Sequence, residues 1–193
     1  MLWEHSLVMV DEETGSLWSH LLGEAMRGPL TGERLELLPS TVTDWKTWRH
    51  AHPMTSAVML PRSERRLRRD SYRELDRYVI GLADDPVARA WRFDLLLEHP
   101  VVNDWLGEDA VLVIFDKASL TALVYDRTIN GRLIEFEENN GRLVDPETGT
   151  EWDPLTGRSF TTGHVRLQRL PGVISFEHSW RRFHPRTTFW PDN

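Results

Sequence analysis

The chain contains no cysteine. That removes disulfides, thiol nucleophiles and cysteine-ligated zinc from its possible chemistry. No apolar run approaches the ~20 residues of a membrane-spanning helix. The first residues, Met1-Leu2-Trp3-Glu4-His5-Ser6, hold no basic region followed by an apolar stretch. No secretory signal is read there, and a cytoplasmic location is expected for the chain as it stands. Positive charge is scarce: 23 Lys and Arg stand against 30 Asp and Glu, a net charge of −7. Phosphate backbones require a positive field, so nucleic acid is not expected as a partner. Gly-x-Ser-x-Gly, Gly-x-Gly-x-x-Gly and phosphate-loop patterns are also missing, so no nucleophile elbow and no cofactor are expected.

What is present is an ordinary soluble composition. The 193 residues are 40% hydrophobic and 27% charged, enough for one good core or two small ones. Nine tryptophans are many for this length. Core packing accounts for them first; a stacking surface for sugars or bases is the alternative.

The sequence also repeats itself. Asp11-Glu12-Glu13-Thr14-Gly15-Ser16-Leu17-Trp18 returns as Asp145-Pro146-Glu147-Thr148-Gly149-Thr150-Glu151-Trp152. Leu38-Pro39, Trp48-Arg49 and His52-Pro53-x-Thr55 return as Leu170-Pro171, Trp180-Arg181 and His184-Pro185-x-Thr187. A repeat of this length predicts one supersecondary unit used twice. Residues 1–60 read as copy one, 61–77 as an Arg-rich linker and 78–193 as copy two. Copy one has only about ten residues before its Thr-Gly turn, so it is expected to lack its front half.

The expected fold is mainly β with short helices: two pseudo-symmetric meander and hairpin repeats, each closed by a short helix. Each Asp-x-Glu-Thr-Gly stretch predicts a hairpin loop with its glycine left-handed. Trp18 and Trp152 then fall on the return strands as core anchors. Arg34 to Leu38 and Val165 to Leu170 read as strands. Thr43 and Ser175 read as helix N-caps, and both helices stop at His-Pro. Tyr78 to Phe93 reads as a hairpin turning through Asp84-Asp85-Pro86, and Val111–Phe115 and Ala122–Tyr125 as buried strands. Asn130-Gly131 and Asn139-Asn140-Gly141 read as tight turns, with Leu133 to Glu137 a strand between them. Residues 61–77 read as a solvated linker or short amphipathic helix, with an anion-binding patch as the alternative.

Two polar pairs stand out as ligand-binding candidates: Asn103-Asp104 and Asp126-Arg127. One reading is a carboxylate fixed by arginine at a sheet end, facing a ligand. The other is an Asx-turn and a structural ion pair that fix a corner. His50, His52 and His184 raise a metal site, but zinc needs three or four converging ligands. Helix-end histidines suit the C-terminal dipole without any metal, and no metal is expected.

Several spaced motifs together resemble a known family. They include Glu13-Thr14-Gly15-Ser16-Leu17-Trp18, Gly28-Pro29-Leu30-x-Gly32, Trp45-x-x-Trp48-Arg49, Val102-Asn103-Asp104, Tyr125-Asp126-Arg127, Glu147-Thr148-Gly149-x-x-Trp152 and Phe183-His184-Pro185. The chain resembles the bacterial and archaeal family called domain of unknown function 3179 over nearly its whole length. The resemblance implies exported full-length relatives with a Cys-Pro-x-Cys-Gly stretch, or selenocysteine, near the front of copy one. It thus implies thiol or selenol redox chemistry. Here that motif is missing, and Phe115-Asp116-Lys117-Ala118-Ser119 in copy two offers no cysteine either.

The leading functional reading is a non-catalytic or partner-dependent module that binds an unknown protein or small molecule in the cleft between copies. The alternatives are a redox protein whose cysteine segment is missing, and a metal-dependent enzyme using His52, His184 and an acid.

Overall fold

The fold is read from a computed structural model that describes residues 2–3, 6–58 and 74–192. Short strands joined by Gly- and Asn-rich turns make it mainly β, as the sequence predicts. The N-terminal sheet is antiparallel, in the order β1 (Leu2–Trp3), β2 (Ser6–Val10), β3 (Leu17–Ser19), β4 (Glu24–Arg27). Its β2–β3 loop is built by one carboxylate. Asp11 accepts the Glu13 N–H at 2.9 Å and the Thr14 hydroxyl at 2.6 Å. Gly15 donates to the Asp11 carbonyl at φ +70°, a region that costs other residues dearly. Then comes helix α1 (Trp45–Ala51).

Arg34 to Leu38 is not a strand. Only Arg34 bridges, to Glu24, and residues 35–44 cross onto the C-terminal part as an extended strap. Side chains hold it: the Arg169 guanidinium donates to the Ser40 carbonyl at 2.8 Å and Thr121 to Thr43 Oγ1 at 2.7 Å. That occupies Thr43, and Asp44 caps α1 instead, accepting the Thr47 N–H at 2.7 Å. Ser175 is likewise no cap. It lies in a strand, and the N-cap position is Phe176, without a side-chain bond.

The C-terminal part begins with a 3₁₀ turn, Leu75–Arg77; most of the Arg-rich segment, residues 61–73, lies outside the described residues. There follow β5 (Tyr78–Asp84), β6 (Val87–Arg92), α2 (Phe93–Glu98), β7 (Val101–Leu106), β8 (Asp109–Asp116) and β9 (Thr121–Asp126). Next come β10 (Thr128–Ile129), β11 (Arg132–Leu133), β12 (Glu137–Asn139), β13 (Arg142–Asp145) and β14 (Thr150–Trp152). The chain closes with β15 (Val173–Phe176), α3 (Glu177–Phe183) and β16 (Thr188–Trp190). The sheets run β15-β5-β6-β16, β7-β8-β9, β12-β13-β14 and the ribbon β10-β11. Leu133 to Glu137 is broken between β11 and β12, because Ile134 and Phe136 turn inward to the core. Val165 to Leu170 makes only isolated bridges.

The continuous apolar run of β8 has a direct cause: both of its faces are covered. Val111, Val113 and Phe115 point into a cluster with Ile80, Trp91, Phe93, Leu96 and Val124. Leu112 and Ile114 point the other way, against Phe136, Leu143, Trp152, Leu167 and Tyr125. A third cluster sets Trp180 against Val79, Ala88 and Ala90. Gly81 is required there, since a Cβ would lie 2.4 Å from the Trp180 ring. The buried members of all three clusters come from residue 79 onward.

The paired motifs make paired local bonds. Asp145 accepts the Glu147 N–H at 2.9 Å and the Thr148 hydroxyl at 2.7 Å, with Gly149 at φ +69°. Trp48 Nε1 donates to Thr55 Oγ1 at 3.1 Å, and Trp180 Nε1 to Thr187 Oγ1 at 2.9 Å. Each indole lies 4.1 Å from its histidine, His52 or His184. Burial differs, however. Trp152 and Trp180 are inside, whereas Trp18 and Trp48 are half-buried and outside the clusters, so Trp18 is not the core anchor expected.

Trp152→Ala should therefore cost about 3–5 kcal/mol, the range for a fully buried aromatic, and Trp18→Ala less than half of that. Urea melts of the two variants check the difference.

Candidate functional site

The four polar candidates divide by environment. Asn103 and Asp104 lie within β7, not in a turn. Asp104 is buried and accepts a two-pronged bond from Arg89, Nε at 2.6 Å and Nη2 at 3.1 Å, plus the Trp91 indole N–H at 2.8 Å. Arg89 also reaches Thr188 at 3.1 Å and Asp192 at 2.7 Å. Burial opposes its charge, but the bonds to Asp192 and Asp104 outweigh that and hold its pKa up. Asn103 mimics a backbone partner. It donates to the Phe136 carbonyl at 2.7 Å and accepts the Phe136 N–H at 2.9 Å, pinning the chain before β12 to β7.

Asp126 and Arg127 do not pair with each other. Arg127 is 2% exposed and donates to Glu135 at 2.7 Å and to the Ile134 carbonyl at 3.3 Å. Its guanidinium lies 4.8 Å from the Trp105 ring centre. Asp126 accepts the Thr128 N–H at 2.6 Å, an Asx-turn into β10, and remains partly exposed. The arginine-fixed carboxylate of the sequence reading exists as Asp104, but its partner is Arg89, far from the motif.

His52 and His184 cap the C-terminal ends of α1 and α3, each stacked on its own tryptophan. Among the described residues no three His, Asp or Glu gather at metal-binding spacing, so the metal-enzyme reading gains no ligand set here.

A cleft of about 650 Å³ lies between the N-terminal sheet with its following strap and the C-terminal part. Leu22, Leu35 and Leu37 form one wall, and Pro86, Phe183 and His184 the other. Four charges meet at its mouth: Arg34 reaches Glu24 at 3.1 Å and Asp85 at 3.5 Å, and Arg186 approaches Asp85 at 3.9 Å. His184 Nε2 is buried with no partner among the described residues, and burial lowers the pKa of the ring. The cleft thus offers apolar side chains, an imidazole biased toward its neutral form and several charges. Sequence reading missed Arg34 and Asp85, which stand 51 positions apart; Asp84-Asp85-Pro86 gave only a turn signal.

Two outcomes follow. Removing Asp104 leaves the buried Arg89 guanidinium only Thr188 and the exposed Asp192, so Asp104→Ala should cost about 3 kcal/mol in chemical denaturation. For His184 the depressed folded-state pKa means the unfolded chain takes the proton first. Its contribution is present above the ordinary histidine pKa of about 6.5 and is lost as pH falls through that value toward the folded one. Stability should fall as pH drops below about 6.5, and a His184→Gln variant should flatten that limb in melts on the acid side of neutrality.

Comparison with known proteins agrees with the sequence resemblance. The profile of a family described as "Protein of unknown function (DUF3179)" matches residues 1–78 and 67–187. No curated protein and no solved structure matches the chain. With matches spanning nearly every residue, the chain belongs to the DUF3179 family of proteins of unknown function.

Proposed function

We propose that this chain is a non-catalytic binding module whose ligand, a small molecule or a protein segment, occupies the cleft between its two parts. We also propose that the parts are unequal copies of one unit, residues 1–60 and 78–193, joined by the Arg-rich segment 61–77. The paired Thr-Gly turns and Trp-His-Thr clusters support the duplication. The observation that carries the binding reading is His184: a buried ring nitrogen without a partner among the described residues, in a cleft that sets leucine and phenylalanine side chains beside the charges of Glu24, Arg34, Asp85 and Arg186. An unpaired buried polar atom costs about 1–3 kcal/mol, and a bound group that hydrogen-bonds to it recovers that cost. The cleft volume lies within the usual range for small-ligand sites.

The charges at the mouth support the same reading. Arg34, Asp85 and Arg186 are well exposed and joined across the two parts. Pairs of this kind add little to stability, so they are available for exchange with ligand groups.

The test is ligand-observed NMR on the full chain with a library of small organic acids, amines and amino acids. Ligands that bind should weaken about tenfold in Arg34→Gln and Asp85→Asn, a change of about 1.4 kcal/mol, with melting unchanged. Binding indifferent to both substitutions and to His184→Gln would place the ligand elsewhere and overturn the reading.

A further inference from the structure

A second hollow, of about 700 Å³, meets the cleft along Ala83, Asp84 and Pro171 and extends from the end of β5 over the β7–β8 turn. Its floor is apolar, made by Leu82, Leu106, Val111 and Leu170. Trp105 stands in its wall, 45% exposed on a strand whose neighbours Asp104 and Leu106 are buried. The buried Arg127 guanidinium packs against the indole and fixes its orientation. A large aromatic held this way, yet left open to water, is a standing contact surface.

The rim carries charge of one sign. Asp84, Glu108, Asp109 and Asp126 come from three places in the chain, and among the described residues no Lys, Arg or His lines the hollow. None of the four forms an ion pair among the described residues. Elsewhere six arginines, Arg89, Arg92, Arg127, Arg132, Arg142 and Arg181, each meet an acid. Four uncompensated carboxylates around one opening focus a negative potential that a cationic occupant relieves.

The geometry points to a docking groove for a basic peptide segment of a partner protein, one that mixes apolar side chains with Lys or Arg. We propose this as a site separate from the cleft. Apolar side chains cover the leucine floor and the Trp105 face. The hydrocarbon stems of Lys or Arg lie along the walls, with their heads at the rim carboxylates. A sugar would leave all four charges uncompensated, and a simple polyamine has no apolar body for the floor. The volume suits a segment of a few residues.

The experiment is fluorescence anisotropy on the full chain with a labelled, capped hexapeptide alternating Leu and Arg. Its controls are the Leu/Glu counterpart and spermidine as competitor. The Leu/Arg peptide should bind, and weaken about tenfold when salt rises from about 50 to about 300 mM, as screening of several exposed carboxylates requires. A variant carrying Glu108→Gln, Asp109→Asn and Asp126→Asn keeps the shape and the Asx-turn. It should lose at least about tenfold in affinity with an unchanged melt, whereas Arg34→Gln in the cleft should change nothing. Equal binding of the Leu/Glu peptide, displacement by spermidine at concentrations equal to the peptide's, or full affinity in the triple variant would each overturn the proposal.

Discussion

Everything in the C-terminal part depends on one constraint: β8 and β9 are apolar on both faces, so both faces must be covered. One cover is the β5–β6 hairpin with α2; the other is the chain from Ile134 to Leu167. The polar bonds described above serve that constraint. Asn103 fastens the chain at Phe136, and Arg89 with Asp104 joins β6 to β7. Such bonds add little net stability by themselves but fix which strand lies where, since a misplaced buried charge is expensive.

The sequence was legible where local chemistry decides. Asn130-Gly131 and Asn140-Gly141 have left-handed φ at both residues, as two-residue hairpins of this twist require. Asp11 and Asp145 build their turns from their own side chains. It was illegible where a distant side chain decides. Thr43 looks like a cap until Thr121 takes its hydroxyl, and residues 35–38 look like a strand until Arg169 takes hold of Ser40 further along. Asp126-Arg127 suggests a pair because the residues are adjacent, yet at the end of β9 Asp126 turns to the Thr128 N–H while Arg127 turns inward to Glu135 and the Ile134 carbonyl. Of the cleft, only the His-Pro motif was visible in advance, and its charged mouth assembles from separate turns.

The two halves show how far local sequence reaches. Trp48 and Trp180 share helix position, hydrogen-bond partner and stacking distance. Only Trp180 is buried, because Gly81 of β5 leaves room for its ring and the hairpin covers it. A motif sets the orientation of its tryptophan; the neighbouring sheet decides how much hydrophobic free energy that tryptophan contributes.

The strap from 35 to 44 has a consequence for the chain's motions. No backbone N–H from Glu36 to Asp44 finds a backbone acceptor among the described residues, and most of the segment is exposed. Its hold rests on a few side-chain bonds, chiefly those of Arg169 and Thr121. Lifting it breaks no sheet and uncovers none of the three clusters, so its amides exchange with solvent through small local openings. The amides of β8, paired on both edges, exchange only when the whole C-terminal part opens. One wall of the cleft, Leu35 and Leu37, belongs to this loosely tied segment. The width of the cleft is therefore set by a low-energy opening rather than by the rigid core beside it.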